Sequence, residues 1–150
     1  MKTDYFQIHT KLNCDVEEIM NVIASTHNYL NALLRDLLKK YTITCQQYMV
    51  LKIIFKQHPN PISVGVINSK MTCKKSNTSR IIDKLEQKEY VYRVVCPFDN
   101  RQIDIFLTIR GIQILEEITL FVQNEMQKKN TLSKAELKSL NSLLKKLSFC

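Results

Sequence analysis

SKMTCKKSNTSRIIDKLEQKEYVYRVVCPFDNRQIDIFLTIRG, residues Ser69 to Gly111, decides how the rest of the chain is read. Thr72-Cys73-Lys74-Lys75 reads as a turn, and Ser76-Asn77-Thr78-Ser79 as the start of a helix. Short polar side chains are poor in helix interiors, but they cap free N–H groups at a helix start. The helix that follows would bury Ile81, Ile82 and Leu85 and turn Arg80, Asp83, Lys84 and Lys88 outward. Tyr90 to Cys96 is rich in Val and Tyr and predicts a strand, with Ile103-Asp104-Ile105-Phe106-Leu107 as its alternating partner. Between them, Cys96-Pro97-Phe98-Asp99-Asn100-Arg101 predicts the tip of a hairpin, Asp99-Asn100 supplying the turn chemistry.

Upstream, residues ~15–40 repeat apolar side chains at helical spacing: Val16, Ile19, Met20, Ile23, Leu30, Leu33, Leu34, Leu37, Leu38 and Tyr41. One helix of roughly 25 residues follows from that stripe. It exceeds what one small core needs, so part of it is expected to pack on another subunit. Thr44-Cys45-Gln46-Gln47 has the spacing of a capping box. The helix it starts carries Tyr48, Leu51, Ile54 and Phe55 and ends before His58-Pro59-Asn60-Pro61. Ser63 to Met71 predicts a short helix with Val64, Val66, Ile67 and Met71 apolar.

Downstream, Thr108 to about Lys129 predicts a long helix that is apolar on more than one side, hence buried or shared with a partner chain. Ser133-Lys134-Ala135-Glu136 is a second capping box, opening a last helix with Leu137, Leu140, Leu144 and Leu147 on one face. No internal repeat or low-complexity tract interrupts the pattern. The fold class is therefore mainly α with a small β-hairpin wing, over residues 1–150 as one domain. Long helices at both ends, 1–42 and 112–150, flank a winged helix-turn-helix at 43–111.

Composition narrows the function. With 45% apolar and 24% charged residues the chain is globular rather than disordered. No apolar run approaches the ~20 residues of a membrane span. Met1-Lys2-Thr3-Asp4-Tyr5 lacks the apolar core of a secretory signal, so a cytoplasmic location is expected. The net charge of +8 suggests a polyanionic partner, and its distribution says more. Four basic residues (Lys70, Lys74, Lys75, Arg80) and no acid lie between positions 70 and 80. Two glycines, Gly65 and Gly111, cannot build a nucleotide loop, and neither paired carboxylates nor a nucleophile motif points to an enzyme. No cofactor is expected. His9, His27 and His58 are far apart, and the five cysteines show no C-x-x-C pair, so no metal site is expected either.

In a helix-turn-helix, the second helix enters the major groove with its N-terminal residues at the base edges. Those residues are here Ser76, Asn77, Thr78, Ser79 and Arg80, with Lys84 one turn on. Hydroxyls and amides donate and accept at base edges, and Arg binds guanine or phosphate. Lys74 and Lys75 are placed for phosphate. At the hairpin tip, Asn100 and Arg101 are placed for DNA, since minor-groove potential attracts Arg. Two plainer readings stand beside these. Ser76 to Ser79 serve as a helix cap alone, or Arg101 pairs with Asp99 to hold its own loop.

The run from Ile43 to Gly111 resembles the MarR family of bacterial transcription regulators. Ile43-Thr44-Cys45-Gln46-Gln47-Tyr48-Met49-Val50-Leu51 is similar to that family's L-T-x-x-Q-Y-x-V-L helix opening. Ser76 to Glu86 resembles its recognition helix. Asp99-Asn100-Arg101, then Leu107-Thr108-Ile109-Arg110-Gly111, resembles its wing signature, D-x-R followed by L-T-x-x-G. The resemblance implies a homodimeric repressor on a pseudopalindromic duplex, its outer helices interlocked. Arg101 would be the minor-groove residue and Asp99 its support. It also implies release by a small aromatic or phenolic effector or by an oxidant. Cys14, near the start of the first helix, and Cys73, beside Lys74 and Lys75, are the thiols to consider. Glu89 departs from the family's usual Gly, so the end of the recognition helix is expected to differ. A winged helix that binds protein rather than DNA is the alternative, and the acid-free reading turn argues against it.

Overall fold

The computed structural model describes residues 14–71, 77–96 and 99–147, with six helices and three strands among them. They fall into two compact units, one ending at Ile118 and one beginning at Thr119. In the first unit the long predicted helix is α1, Cys14–Lys39. The chain leaves it through Thr42, whose backbone is left-handed (φ 53). Helix α2, Cys45–Phe55, starts at the predicted capping box: Thr44 Oγ1 accepts from the Gln47 N–H (3.2 Å), and Gln47 Oε1 accepts from the Thr44 N–H (3.0 Å). Both side chains relieve backbone donors that a helix start leaves without partners.

Helix α2 is the centre of the core, packing against α1, against α3 (Val64–Lys70) and α4 (Thr78–Gln87), and against a small sheet. Val50, Leu51 and Ile54 meet Ile67, Ile82, Leu85 and Ile105, all of them essentially inaccessible to water. Each such side chain contributes on the order of 1.5–3 kcal/mol of transfer free energy. That single cluster fixes the angle at which α3 and α4 leave the core.

The sheet has the order β1-β3-β2, all antiparallel: β1 Ile62–Ser63, β2 Val91–Cys96, β3 Asp99–Leu107. The two-residue β1, following Pro61, is an addition to the predicted elements. It lays Ile62 beside Ile105 and extends the buried row. The hairpin is also longer than predicted. Asp99 and Asn100, read above as turn residues, belong to β3, and Cys96 pairs with Asp99 across an irregularity at Val95/Cys96. Cross-strand pairing of Asp99 with Cys96 overrides its turn preference, and Asn100 follows it inside the irregularity.

Helix α5 spans Ile109–Lys129 and α6 spans Lys134–Leu147. Up to Ile118, α5 carries the buried Leu115 and Ile118, while Ile109 is 77% exposed. In the second unit the predicted box at Ser133 is present: Ser133 N–H donates to Glu136 Oε2 (2.8 Å), and Glu136 N–H to Ser133 Oγ (3.3 Å). No residue of α6 is buried. None of the described helices is long and apolar enough to cross a membrane.

Candidate nucleic-acid interface

The recognition helix α4 is set by its two ends. At its start Asn77 is the N-cap, its Oδ1 accepting from the Arg80 N–H (3.1 Å). Thr78, grouped above with the base-reading residues, is turned inward instead. It is buried, and its hydroxyl donates to Asn68 Oδ1 (2.8 Å), tying α4 to α3. A hydroxyl in that internal bond ties the helix pair together. Arg80, Asp83 and Lys84 are exposed as predicted, opposite the buried row Ile81, Ile82 and Leu85, and Ser79 is exposed with them, whereas Lys88, also expected outward, is half-buried.

At its end, Glu89 takes the left-handed conformation (φ 60) that glycine favours. The N–H of Glu89 donates to the Glu86 carbonyl (2.8 Å) and that of Tyr90 to the Leu85 carbonyl (3.0 Å). This is the Schellman pattern, completed without glycine. The expected change in the helix end is therefore absent. The Glu89 carbonyl is held by Thr108 Oγ1 (2.7 Å), and its carboxylate by Arg110 (2.5 Å).

Thr108 repeats this bracing from the other side. Its N–H donates to the Tyr90 carbonyl (3.1 Å), and its Oγ1 accepts from the Gly111 N–H (2.9 Å). The L-T-x-x-G segment therefore joins the end of α4 to the start of α5. Lys88 adds a further tie, its Nζ donating to the Thr42 carbonyl (2.5 Å).

Arg93 on β2 escaped the sequence reading. Its guanidinium forks onto Asp83 and Glu86 of α4, each at 2.5 Å. The available signal was a lone cation inside the apolar run Val91-Tyr92-Arg93-Val94-Val95, since a charge in such a strand calls for a partner. Gln102 was also missed. Its amide donates to the buried Asp104 carboxylate (2.9 Å). It lines a cleft of about 420 Å³ with Ser63, Gly65 and Ser79, between β1, the starts of α3 and α4, and the tip half of β3.

Lys74, Lys75, Ser76 and Cys73 lie outside the described residues, and at Cys14, Asp99, Asn100 and Arg101 only the backbone is described. The hairpin backbone carries Asn100 and Arg101 at the far end of β3 from the core. A second cleft, about 630 Å³, lies where α1 gives way to α2, lined by Asn31, Arg35, Lys39, Thr42, Thr44 and Cys45 among others. Burial pushes the Cys45 thiol above its ordinary pKa, against a smaller opposing pull from Arg35.

The profile of the MarR family matches residues 43–103, the segment that holds α2, the α3–α4 pair and most of the hairpin. Across that segment the chain is similar to the MarR family. It is 31% identical over 84 residues to the uncharacterised HTH-type transcriptional regulator YsmB of Bacillus subtilis, spanning 56% of each chain. It is 28% identical over 109 residues to the HTH-type transcriptional regulator MgrA of Staphylococcus aureus, spanning 73% of this chain and 72% of MgrA. Its fold resembles that of a mutant MarR from E. coli crystallised with operator DNA (TM-score 0.77, 24% identity, 91% of this chain and 98% of that one). Within this MarR-family fold, α3 and α4 form the helix-turn-helix and β2–β3 the wing. YsmB and MgrA both carry the name of transcriptional regulators.

Proposed function

We propose that the chain is a sequence-specific double-stranded DNA-binding transcription regulator, acting as a homodimeric repressor on a pseudopalindromic operator. The observation that carries this reading is the outward face of α4. Ser79, Arg80 and Lys84 stand exposed on a helix whose opposite row is locked into the α2 core. Asn77 and Ser79 offer polar groups near the helix start, and Lys74, Lys75 and Ser76 precede it in sequence. At the hairpin tip Asn100 and Arg101 are the residues we assign to a neighbouring minor groove, whose potential attracts Arg, with Asp99 assigned as the support of Arg101.

The outer helices favour a dimer. On α1, Val16, Ile19, Met20 and Leu30 are 44–62% exposed, and on α6 so are Leu137, Leu140, Leu143, Leu144 and Leu147 at 40–60%. Apolar rows of this extent ask for a partner surface. A second copy of the chain supplies the same rows and would set the spacing between two winged domains.

Release by a small aromatic or phenolic acid is favoured by the α1–α2 cleft, where Arg35 offers a cation near Ile43 and Cys45, and Lys39, paired with Asp36 (2.7 Å), stands beside it. The raised Cys45 thiol disfavours an oxidant route through that residue.

A gel shift on a random duplex pool tests the reading. The chain should retard DNA at low salt, and Arg101→Ala should weaken binding strongly. Absence of retardation even at low salt would favour a protein-binding winged helix.

A further inference from the structure

Resting on the DNA-binding reading, we propose that Arg93 is a positioning residue for DNA recognition, cancelling the carboxylate charge that Asp83 and Glu86 place on the reading helix. Arg80, Asp83, Lys84 and Gln87 share the outward face of α4, and all four are exposed. Asp83 thus stands among the residues that meet the duplex, with Glu86 beside it at the next helical position. A carboxylate on that face and a second one flanking it would oppose a phosphate backbone, since like charges brought together at an interface disfavour binding.

The wing answers them. Arg93 sits on the row Ile62, Ile105, Arg93 across the three-stranded sheet, so its Cα is fixed by buried neighbours. Its side chain is only 27% exposed, and its two terminal nitrogens reach Glu86 Oε2 and Asp83 Oδ1, each at 2.5 Å. The planar fork of Arg satisfies two carboxylates at once, which the point charge of Lys does not. Arg93 therefore acts on DNA through the acids it engages.

Three variants of the full chain test this on a duplex that the parent selects from a random pool. Arg93→Ala is expected to lose about tenfold or more in affinity, because both carboxylates are released toward phosphate. Combining Arg93→Ala with Asp83→Asn and Glu86→Gln is expected to return affinity to within about threefold of the parent, since the repulsive charges are gone. Asp83→Asn with Glu86→Gln, Arg93 intact, is expected to bind at least as tightly as the parent. This last variant decides the matter even if Arg93→Ala fails to fold. Unchanged binding by Arg93→Ala overturns the proposal, as does a loss that neutralising the acids leaves in place. A tenfold loss in the Asp83→Asn, Glu86→Gln protein overturns it too, because the bridge itself would then be what matters. If the parent binds no duplex at any salt, the DNA reading fails and this role falls with it. If the parent binds and the variants depart from these results, only the role of Arg93 fails.

Discussion

Gly111 lies so close to the Tyr90 carbonyl that a Cβ on it would stand 2.9 Å from the carbonyl carbon and nearer still to the oxygen. The atom in the way is backbone, held in place by the N–H of Thr108 and by the turn that ends α4. The family's L-T-x-x-G segment is thus a joint between the recognition helix and α5. Gly111→Ala should destabilise the protein by about 3 kcal/mol, the upper part of the usual overpacking range. Urea unfolding measures this, and an unchanged midpoint would contradict the joint.

Glu89 shows the opposite case, a side chain where glycine would fit better. Glu89→Gly relieves the left-handed backbone and should stabilise by roughly 0.5–1 kcal/mol. The lost partner, Arg110, is 62% exposed, and surface ion pairs of that kind contribute little. A fall in melting temperature would show that the Arg110 contact outweighs the backbone strain.

Thr78 and Ser79 are neighbours with separable roles. Thr78→Val removes the bond to Asn68 and should cost about 1 kcal/mol of stability. Ser79→Ala leaves stability within about 0.5 kcal/mol, as surface substitutions usually do, and should weaken duplex binding. Chemical denaturation and fluorescence anisotropy on both variants would separate the two. Loss of affinity in Thr78→Val without loss of stability would return Thr78 to the base-reading set.

Cys45 supplies a pH test. Burial favours its neutral thiol, so little thiolate is present at neutral pH, and alkylation by iodoacetamide should run slower than for a free thiol. The rate should climb as pH rises past the ordinary thiol range. Because the folded state favours the protonated form, Cys45 adds stability below its unfolded pKa and loses it as pH rises through the higher folded value. Alkylation at pH 7 as fast as for a free thiol would contradict the burial effect.

Much of this fold is legible in local chemistry. The Thr44–Gln47 and Ser133–Glu136 boxes mark two helix starts, and Ile81, Ile82 and Leu85 mark the buried row of α4. What was not legible depended on distant partners. The strand Ile62–Ser63 is too short to show a period and exists because β3 pairs with it. Asp99 carries turn chemistry but pairs with Cys96 across the hairpin, and Asn100 lies in the irregularity beside it. Thr78 looks like its polar neighbours until Asn68, ten residues earlier, claims its hydroxyl. The lone Arg93 in its apolar strand called for a partner, but which acids answer it, Asp83 and Glu86 of a helix, no local pattern shows.

The salt dependence of binding to a selected duplex tests the central claim most directly. The chain should enrich an inverted repeat from a random pool. Its affinity for that duplex should fall linearly with salt on logarithmic axes, losing about a decade or more as salt rises severalfold, as several phosphate contacts require. Enrichment of no repeat, together with an affinity indifferent to salt, would contradict a DNA-binding regulator built from α4 and the wing.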